Sequence, residues 1–406
     1  MNVTVYPRPI RGRVKAPPSK SHVHRLLIAA ALCEEHETRI HCPGENEDID
    51  ATIRCLQALN TNIEKDGDWI SARRDGPLFS SSSHKTLDCG ESGSTLRFLL
   101  PLCAAKPRAM EVPIVLTGSG RLPSRPNGPL LEALRSHGAQ IHGDFLPLTM
   151  DGGLFAGDYE LPGNVSSQYF SGLLFALPLL EGDSTLRHTS PLESRPYVDL
   201  TLSVLRQFGI RVEKMENGWR VPGRQRYISP GAARAEGDWS AAAFWLGANM
   251  LGNAVTVEGL NDHSCQGDQA IETLLSRIGG EIDVTDTPDL MPVLSAVAAA
   301  IPGKVTRITG AARLRLKESD RLAAMAKTIQ ALGGQAEELP DGLIVHGTEL
   351  KGGTVDGMND HRVVMSAAIA ATACQGPVTI LGAEAVNKSY PDFWNDFETL
   401  GGRLHG

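Results

Sequence analysis

The chain has 406 residues, 41% of them hydrophobic and 21% charged, with a formal net charge of −8, enough for two or three domains with sizeable cores. The acidic balance argues against a general nucleic-acid or membrane-surface binder, though a small anionic ligand needs only a local cationic pocket. No apolar run reaches transmembrane length, the N-terminus lacks the apolar segment of a secretory signal, and seven widely spaced cysteines without C-x-x-C suggest reduced thiols in the cytoplasm.

"PPSKSHVHR" (17–25) is the first informative stretch. Pro17 and Pro18 hold the backbone extended, and Ser19 or Ser21 can cap the helix that "LLIAAALC" continues. Ser21 and Arg25 share one face, with Lys20 at the rim, and the free N–H groups of such a helix start favour a phosphate or carboxylate. A capped helix with solvated basic residues accounts for the stretch equally well. "FSSSSHK" (79–85) reads as a polar loop. "DCGESGSTLRFLLPL" (88–102) is a small-residue turn into a helix; Gly90 and Gly93 let a ligand approach the backbone, with Arg97 four residues beyond Gly93. It lacks a Walker lysine, and no segment fits a dinucleotide fingerprint.

"LTGSGRLPSRPNGPLLEAL" (116–134) sets Arg121 and Arg125 either side of a tight turn, where they could fork onto a carboxylate or lie on the surface. "NVSSQYFSGLLFALPLL" (164–180) puts Ser166, Ser167 and Gln168 before an apolar helix, more polar groups than a cap needs. "VPGRQRYISPGAARAEGDWS" (221–240) is the best candidate for a crossing between domains. "VTDTPDLMPVLSAVAAA" (284–300) places Asp289 before an apolar helix, where a plain N-cap is the simpler role. In "RLRLKESDRLAAMAKTI" (313–329), Lys317, Glu318 and Arg321 open a helix, and Glu318 can pair with Arg321 at i,i+3. Cations in a first turn oppose the helix dipole unless an anion sits there. Arg362 in "DGMNDHRVVMSAAIAA" (356–371) poses the same problem beside Asp360, a natural N-cap, and His361. "VNKSYPDFW" (386–394) supplies Lys388. The histidines form no H-x-x-x-H pair, so no metal site is read.

One pattern recurs six times: an amphipathic helix, a stop residue, then a strand-like run. The stops fall in "TIRCLQALNTNIEKDGD", "LLEALRSHGAQIHGD", "TLSVLRQFGIRVEKMENG", "TLLSRIGGEIDV", "TIQALGGQAEELPDG" and "FETLGGRLHG"; the first is Asn60 and the rest are Gly. Six copies of one α/β module are expected, at spacings longer than those of solenoid repeats.

The blocks "PSKSHVHR", "GESGSTLRF", "GRLPSRP", "SSQ", "SRPYVDLTL", "EGDWSAAAF", "PDLMPVLSA", "KESDRLAAMA", "NDHRVVMSAA" and "KSYPDF" occur in the order seen in the 5-enolpyruvylshikimate-3-phosphate (EPSP) synthase family, and the resemblance spans nearly the whole chain. It implies an α/β (α+β), two-domain enolpyruvyl transferase fold. Each domain would hold three copies of a βαβαββ-type unit, with helix N-termini facing the interdomain cleft. Residues 1–18 with 233–406 would form the domain carrying the termini and the phosphoenolpyruvate-side residues. Residues 19–232 would carry most shikimate-3-phosphate contacts. The family transfers the enolpyruvyl group of phosphoenolpyruvate to the 5-hydroxyl of shikimate 3-phosphate, through a tetrahedral intermediate and without metal or organic cofactor.

By position, Lys20, Ser21, Arg25, Ser166, Ser167, Gln168, Ser194, Tyr197, Asp289 and Lys317 resemble the shikimate-3-phosphate contacts. Lys20, Gly93, Arg121, Gln168, Arg321, Arg362 and Lys388 resemble the phosphoenolpyruvate pocket. Asp289 is the implied acceptor of the hydroxyl proton; Glu318 is the implied donor to C3, with Lys20 as the competing candidate. The resemblance further implies glyphosate as an inhibitor, a monomer, the cytoplasm, and no nucleic-acid or membrane partner. Glu91 stands where many relatives carry Asn and Phe98 where many carry Pro, and Arg313 is assigned no role. The UDP-N-acetylglucosamine enolpyruvyl transferases, a related family, normally have a cysteine in the loop before "RP"; none lies between Leu116 and Pro126 here.

Overall fold

All six helix stops turn through the left-handed region: Asn60 at φ 63°, and Gly138, Gly209, Gly279, Gly333 and Gly401 between 76° and 100°. The computed structural model describes residues 1–44, 46–79, 85–107, 109 and 112–406. The polar loop read over 79–85 falls mostly on residues 80–84, outside the described residues. The chain forms two compact units: Lys20–Ala235, the inserted unit, and Met1–Ser19 with Glu236–Gly406, the terminal unit.

Among the described residues of the inserted unit, helices α1 (Lys20–Leu32), α2 (Glu47–Ala58), α3 (Gly93–Ala104), α4 (Gly128–Ser136), α5 (Ser167–Ala176) and α6 (Arg195–Gln207) accompany three four-stranded sheets. Each sheet has one pattern: a parallel pair, then two antiparallel strands. Lys85–Asp88 runs parallel to Ile114–Thr117, which pairs antiparallel with Leu148–Gly152, which pairs antiparallel with Gln140–His142. The sheet begun by Asp158–Leu161 repeats this. In the remaining sheet the first strand, Ala232–Arg234, comes from the far end of the unit and pairs parallel with Thr38–His41.

The terminal unit repeats the plan with α7 (Trp239–Asn249), α8 (Ile271–Leu275), α9 (Met291–Ala299), α10 (Arg321–Ala331), α11 (His361–Ala371) and α12 (Phe393–Thr399). Two of its sheets have four strands. In one of them the first strand of the chain, Asn2–Tyr6, lies antiparallel between Val378–Leu381 and Arg403–His405. The remaining sheet has two strands, Arg11–Lys15 parallel to Ala254–Glu258. That module lacks the closing hairpin, because the strand after the Gly279 stop, Glu281–Asp283, starts the next sheet instead.

Composition explains how the helices divide. In each module the first helix is apolar almost all round and sinks into the core, as α1, α3, α5, α7, α9 and α11 do. The second has an exposed face, as in α2 and α6. A close approach joins α3 to α5: a Cβ on Gly172 would lie 2.3 Å from the Arg97 carbonyl oxygen, so only glycine fits. Each unit has its own core; Phe98, Phe170 and Phe175 belong to one, Trp245, Phe393 and Phe397 to the other. Among the described residues no helix is long and apolar enough to cross a membrane.

Candidate active site

In the terminal unit the segments that lead into α9, α10 and α11 meet around one guanidinium. Arg321 opens α10 and its side chain is 2% exposed. Its Nε donates to Asp360 Oδ2 at 2.8 Å, its Nη1 to Asp289 Oδ1 at 2.8 Å, and its Nη2 to Glu318 Oε2 at 2.8 Å and Asp360 Oδ1 at 3.3 Å. Pairing of this kind offsets the cost of burying the cation. Arg362 binds the other face of Asp289, Nη2 to Oδ2 at 3.0 Å and Nη1 to the main-chain oxygen at 3.2 Å, while Lys317 Nζ lies 3.8 Å from Oδ1.

Asp360 is the N-cap of α11, accepting from Arg362 N at 3.0 Å, and also takes the Ser319 hydroxyl at 2.9 Å. Burial works to raise its carboxyl, but Arg321 and His361 hold it below the usual carboxylate range. Burial likewise opposes ionisation of Asp289, and Arg362, Lys317 and Arg321 outweigh it, so this carboxyl too lies well below that range.

Two local readings change. α10 begins at Arg321, so Lys317 and Glu318 precede the helix and Asp320 caps it through Ala323 N at 3.2 Å. The cations Lys317, Arg321 and Arg362 face the chain's own carboxylates, Asp289, Glu318 and Asp360, so a bound anion is not needed to account for them. Asp289 itself is no cap: it sits in a 3₁₀ turn, Pro288–Leu290, and spends its carboxylate on ion pairs. Lys388, ending the turn Ala383–Lys388, donates to the Asn359 oxygen at 2.7 Å, next to Asp360. Met358 and Asn359 both have positive φ, 49° and 52°, a strained approach to that cap.

In the inserted unit the first turns of α1, α2, α3, α5 and α6 are tied together. Lys20 Nζ donates to Asp48 Oδ2 at 2.8 Å. Arg25 is buried and its hydrogen bonds go to neutral oxygens: Thr201 Oγ1 at 2.7 Å, the Ser21 oxygen at 2.6 Å, the Tyr197 oxygen at 2.9 Å and Ser171 Oγ at 3.4 Å. Burial pushes its pKa down to about 9. The Phe98 ring lies 4.9 Å beneath its guanidinium carbon, a cation–π contact.

Ser21 lies inside α1 and is not its cap. Ser166 caps α5 through Gln168 N at 3.3 Å, and Ser167 follows, buried. Ser194, at φ 54°, precedes α6 and its oxygen accepts from Tyr197 N at 3.2 Å. Gly93 starts α3, and a Cβ there would fall 2.8 Å from Nη1 of the buried Arg125. Arg121 is exposed, so the two arginines of that loop do not act alike. Glu91 packs over Gly120: a Cβ on that glycine would lie 2.4 Å from the Glu91 carboxyl carbon.

The family model described as EPSP synthase (3-phosphoshikimate 1-carboxyvinyltransferase) matches residues 5–397. The chain belongs to the EPSP synthase family. It is 42% identical to a protein of Clostridium acetobutylicum named 3-phosphoshikimate 1-carboxyvinyltransferase, over 99% of this chain and 98% of the relative. A protein of the same name from Halobacterium salinarum is 40% identical over the full length of both. The solved structure of EPSP synthase from Acinetobacter baumannii superposes with a TM-score of 0.80 at 25% identity, covering all of both chains.

For a chain of the EPSP synthase family, sequence reading missed three polar partners. Asp48 holds Lys20, and nothing marks it among the acidic residues that open α2. Ser319 supports Asp360. Asp268, buried in the 3₁₀ turn Gly267–Ala270, takes the Ser240 hydroxyl, and burial together with the Asp289 charge pushes its carboxyl up to about 6 against the pull of Arg362. A lone Asp after Gly carries no signal of such a neighbourhood.

Proposed function

We propose that this chain transfers the enolpyruvyl group of phosphoenolpyruvate to the 5-hydroxyl of shikimate 3-phosphate, releasing phosphate in the shikimate pathway toward chorismate and the aromatic amino acids. Family membership supports the reaction class. The observation that carries the residue roles is the pairing of Asp289 and Glu318 on one guanidinium, Arg321, with Arg362 and Lys317 at Asp289.

The shikimate oxygen attacks C2 of the enol while C3 gains a proton, giving a tetrahedral adduct; elimination of phosphate with loss of a C3 proton restores the double bond. Asp289 accepts the hydroxyl proton and Glu318 donates to C3, with Lys20 as the alternative donor. Held as low as it is, Asp289 is a weak base. Anionic substrate that draws Arg321, Arg362 and Lys317 onto itself lifts that hold and makes Asp289 basic when it is needed.

Arg321, Arg362, Lys388, Arg121, Gly93, Gln168 and Lys20 take phosphoenolpyruvate. Lys20, Ser21, Arg25, Ser166, Ser167, Gln168, Ser194, Tyr197, Asp289 and Lys317 take shikimate 3-phosphate. On this reading the terminal unit supplies Arg321, Arg362 and Lys388 to the former and Asp289 and Lys317 to the latter, and the other residues of both sets belong to the inserted unit. The protein works as a cytoplasmic monomer, and glyphosate inhibits it by competing with phosphoenolpyruvate.

The test is phosphate release from phosphoenolpyruvate with shikimate 3-phosphate, run beside UDP-N-acetylglucosamine as acceptor. Turnover is expected with the first alone, and Asp289→Asn and Glu318→Gln should each lower kcat by about 10²- to 10⁴-fold. Turnover with the nucleotide sugar instead, or full activity in either variant, refutes the corresponding assignment.

A further inference from the structure

Gln168 stands half-buried on the first turn of α5, and its carboxamide is held at both ends. Arg97 Nη1 meets Oε1 at 2.7 Å, and Nε2 donates to Ser94 Oγ at 2.9 Å. A guanidinium has donors only, so the amide atom it meets must be the oxygen; a flipped amide would set NH₂ against N–H. Arg97 is itself fixed on three sides. Nε donates to Asn127 Oδ1 at 3.0 Å, Nη2 to the Pro126 oxygen at 3.3 Å, and the guanidinium carbon lies 5.6 Å from the Tyr169 ring centre. Tyr169 in turn donates its hydroxyl to the same Pro126 oxygen at 2.9 Å. The contact exists because α3 and α5 meet closely at Gly172, one helical turn beyond Gln168, directly against the Arg97 main chain.

We propose that Arg97 is a positioning residue that locks the Gln168 carboxamide in one orientation, presenting its NH₂ end to anionic substrate oxygens. The second Nε2–H is the group left for a ligand, and phosphate and carboxylate oxygens are acceptors that need it. A planar fork held by three neighbours is pre-organised to do this; an ammonium on a flexible stem is not. The substrate side of the inference rests on the enolpyruvyl-transfer reading, whereas the orientation of the amide does not.

The experiment has a kinetic arm and a spectroscopic arm. Arg97→Met and Gln168→Met should each raise KM by about tenfold, the size of one charge-assisted hydrogen bond, with kcat changing less. The double variant should be no worse than the weaker-binding single, and Arg97→Lys should fall between wild type and Arg97→Met. Fold-changes that multiply in the double variant overturn the proposal. In the second arm the Gln168 side-chain NH₂ signals, assigned by their loss in Gln168→Met, should move toward the averaged positions of a free glutamine in Arg97→Met. Unchanged signals overturn the proposal regardless of activity. If the wild type does not turn over the two substrates but the NMR response appears, the catalytic reading fails and the positioning role stands. Should Arg97→Met not fold, Asn127→Ala, which frees Arg97 Nε, must give the same signal shift and a smaller rise in KM; its failure to do so counts equally against the inference.

Discussion

Arg321 pairs with three carboxylates at once, and its closest partner is Asp360, which is fully buried. Asp360→Ala removes the α11 cap and strands that guanidinium, so a loss of about 3–5 kcal/mol is expected, read as a fall in Tm. The folded-state pKa values of Asp360 and Asp289 are depressed, so the stability they contribute is present above the unfolded carboxyl value and is lost as pH falls through the folded one. Asp268 has the opposite sign. Its carboxyl is pushed up to about 6, so it costs stability as pH rises from about 4 to above 6. Asp268→Asn should therefore raise Tm at pH 8, by up to about 3 kcal/mol in stability, with the gain vanishing near pH 4. A gain that persists at pH 4 refutes the electrostatic cause. Legibility at this scale follows sequence distance. The Glu318–Arg321 pair and the Asp360 cap could be read from spacing of three residues or fewer. The Asp289–Arg362 pair joins residues separated by 73 positions, and no local pattern encodes it.

Among the elements, the helix stops were the plainest signal, because a left-handed residue has few alternatives to Gly and Asn. The truncated module was not legible: Gly279 is followed by a strand like every other stop, and only pairing tells that Glu281–Asp283 begins a new sheet. Helix starts were read with an error of up to four residues, as at Lys317, since polar residues before a cap look like a first turn. The α3–α5 contact was likewise invisible, as a glycine in an apolar helix carries no mark of its neighbour. Gly172→Ala would press a methyl group into a main-chain oxygen that cannot yield locally. It should cost about 1–3 kcal/mol by forcing the helices apart. Because Gln168, proposed to bind substrate, rides on α5, the same variant should raise KM. A variant of wild-type Tm would contradict the close packing.

At the scale of the molecule, each unit carries three sheets, six helices among the described residues, and a core drawn wholly from its own segment. Residues 20–235 expressed alone should therefore unfold in one cooperative calorimetric transition, yet release no phosphate, since the proposed acid–base pair, Asp289 and Glu318, lies outside them. A broad, non-cooperative melt would show that the core is not self-sufficient. The repeated plan and the two-domain class were legible because they rest on helix–stop–strand grammar and long-range motif order. The chain leaves the terminal unit and rejoins it through adjoining residues: Pro18 bridges Gly237, and Asp238 N donates to the Pro17 oxygen at 2.8 Å. Excising everything between them thus calls for one short splice, and the host keeps every strand and helix of its own. A foreign sequence whose two ends lie side by side could be seated at that same joint.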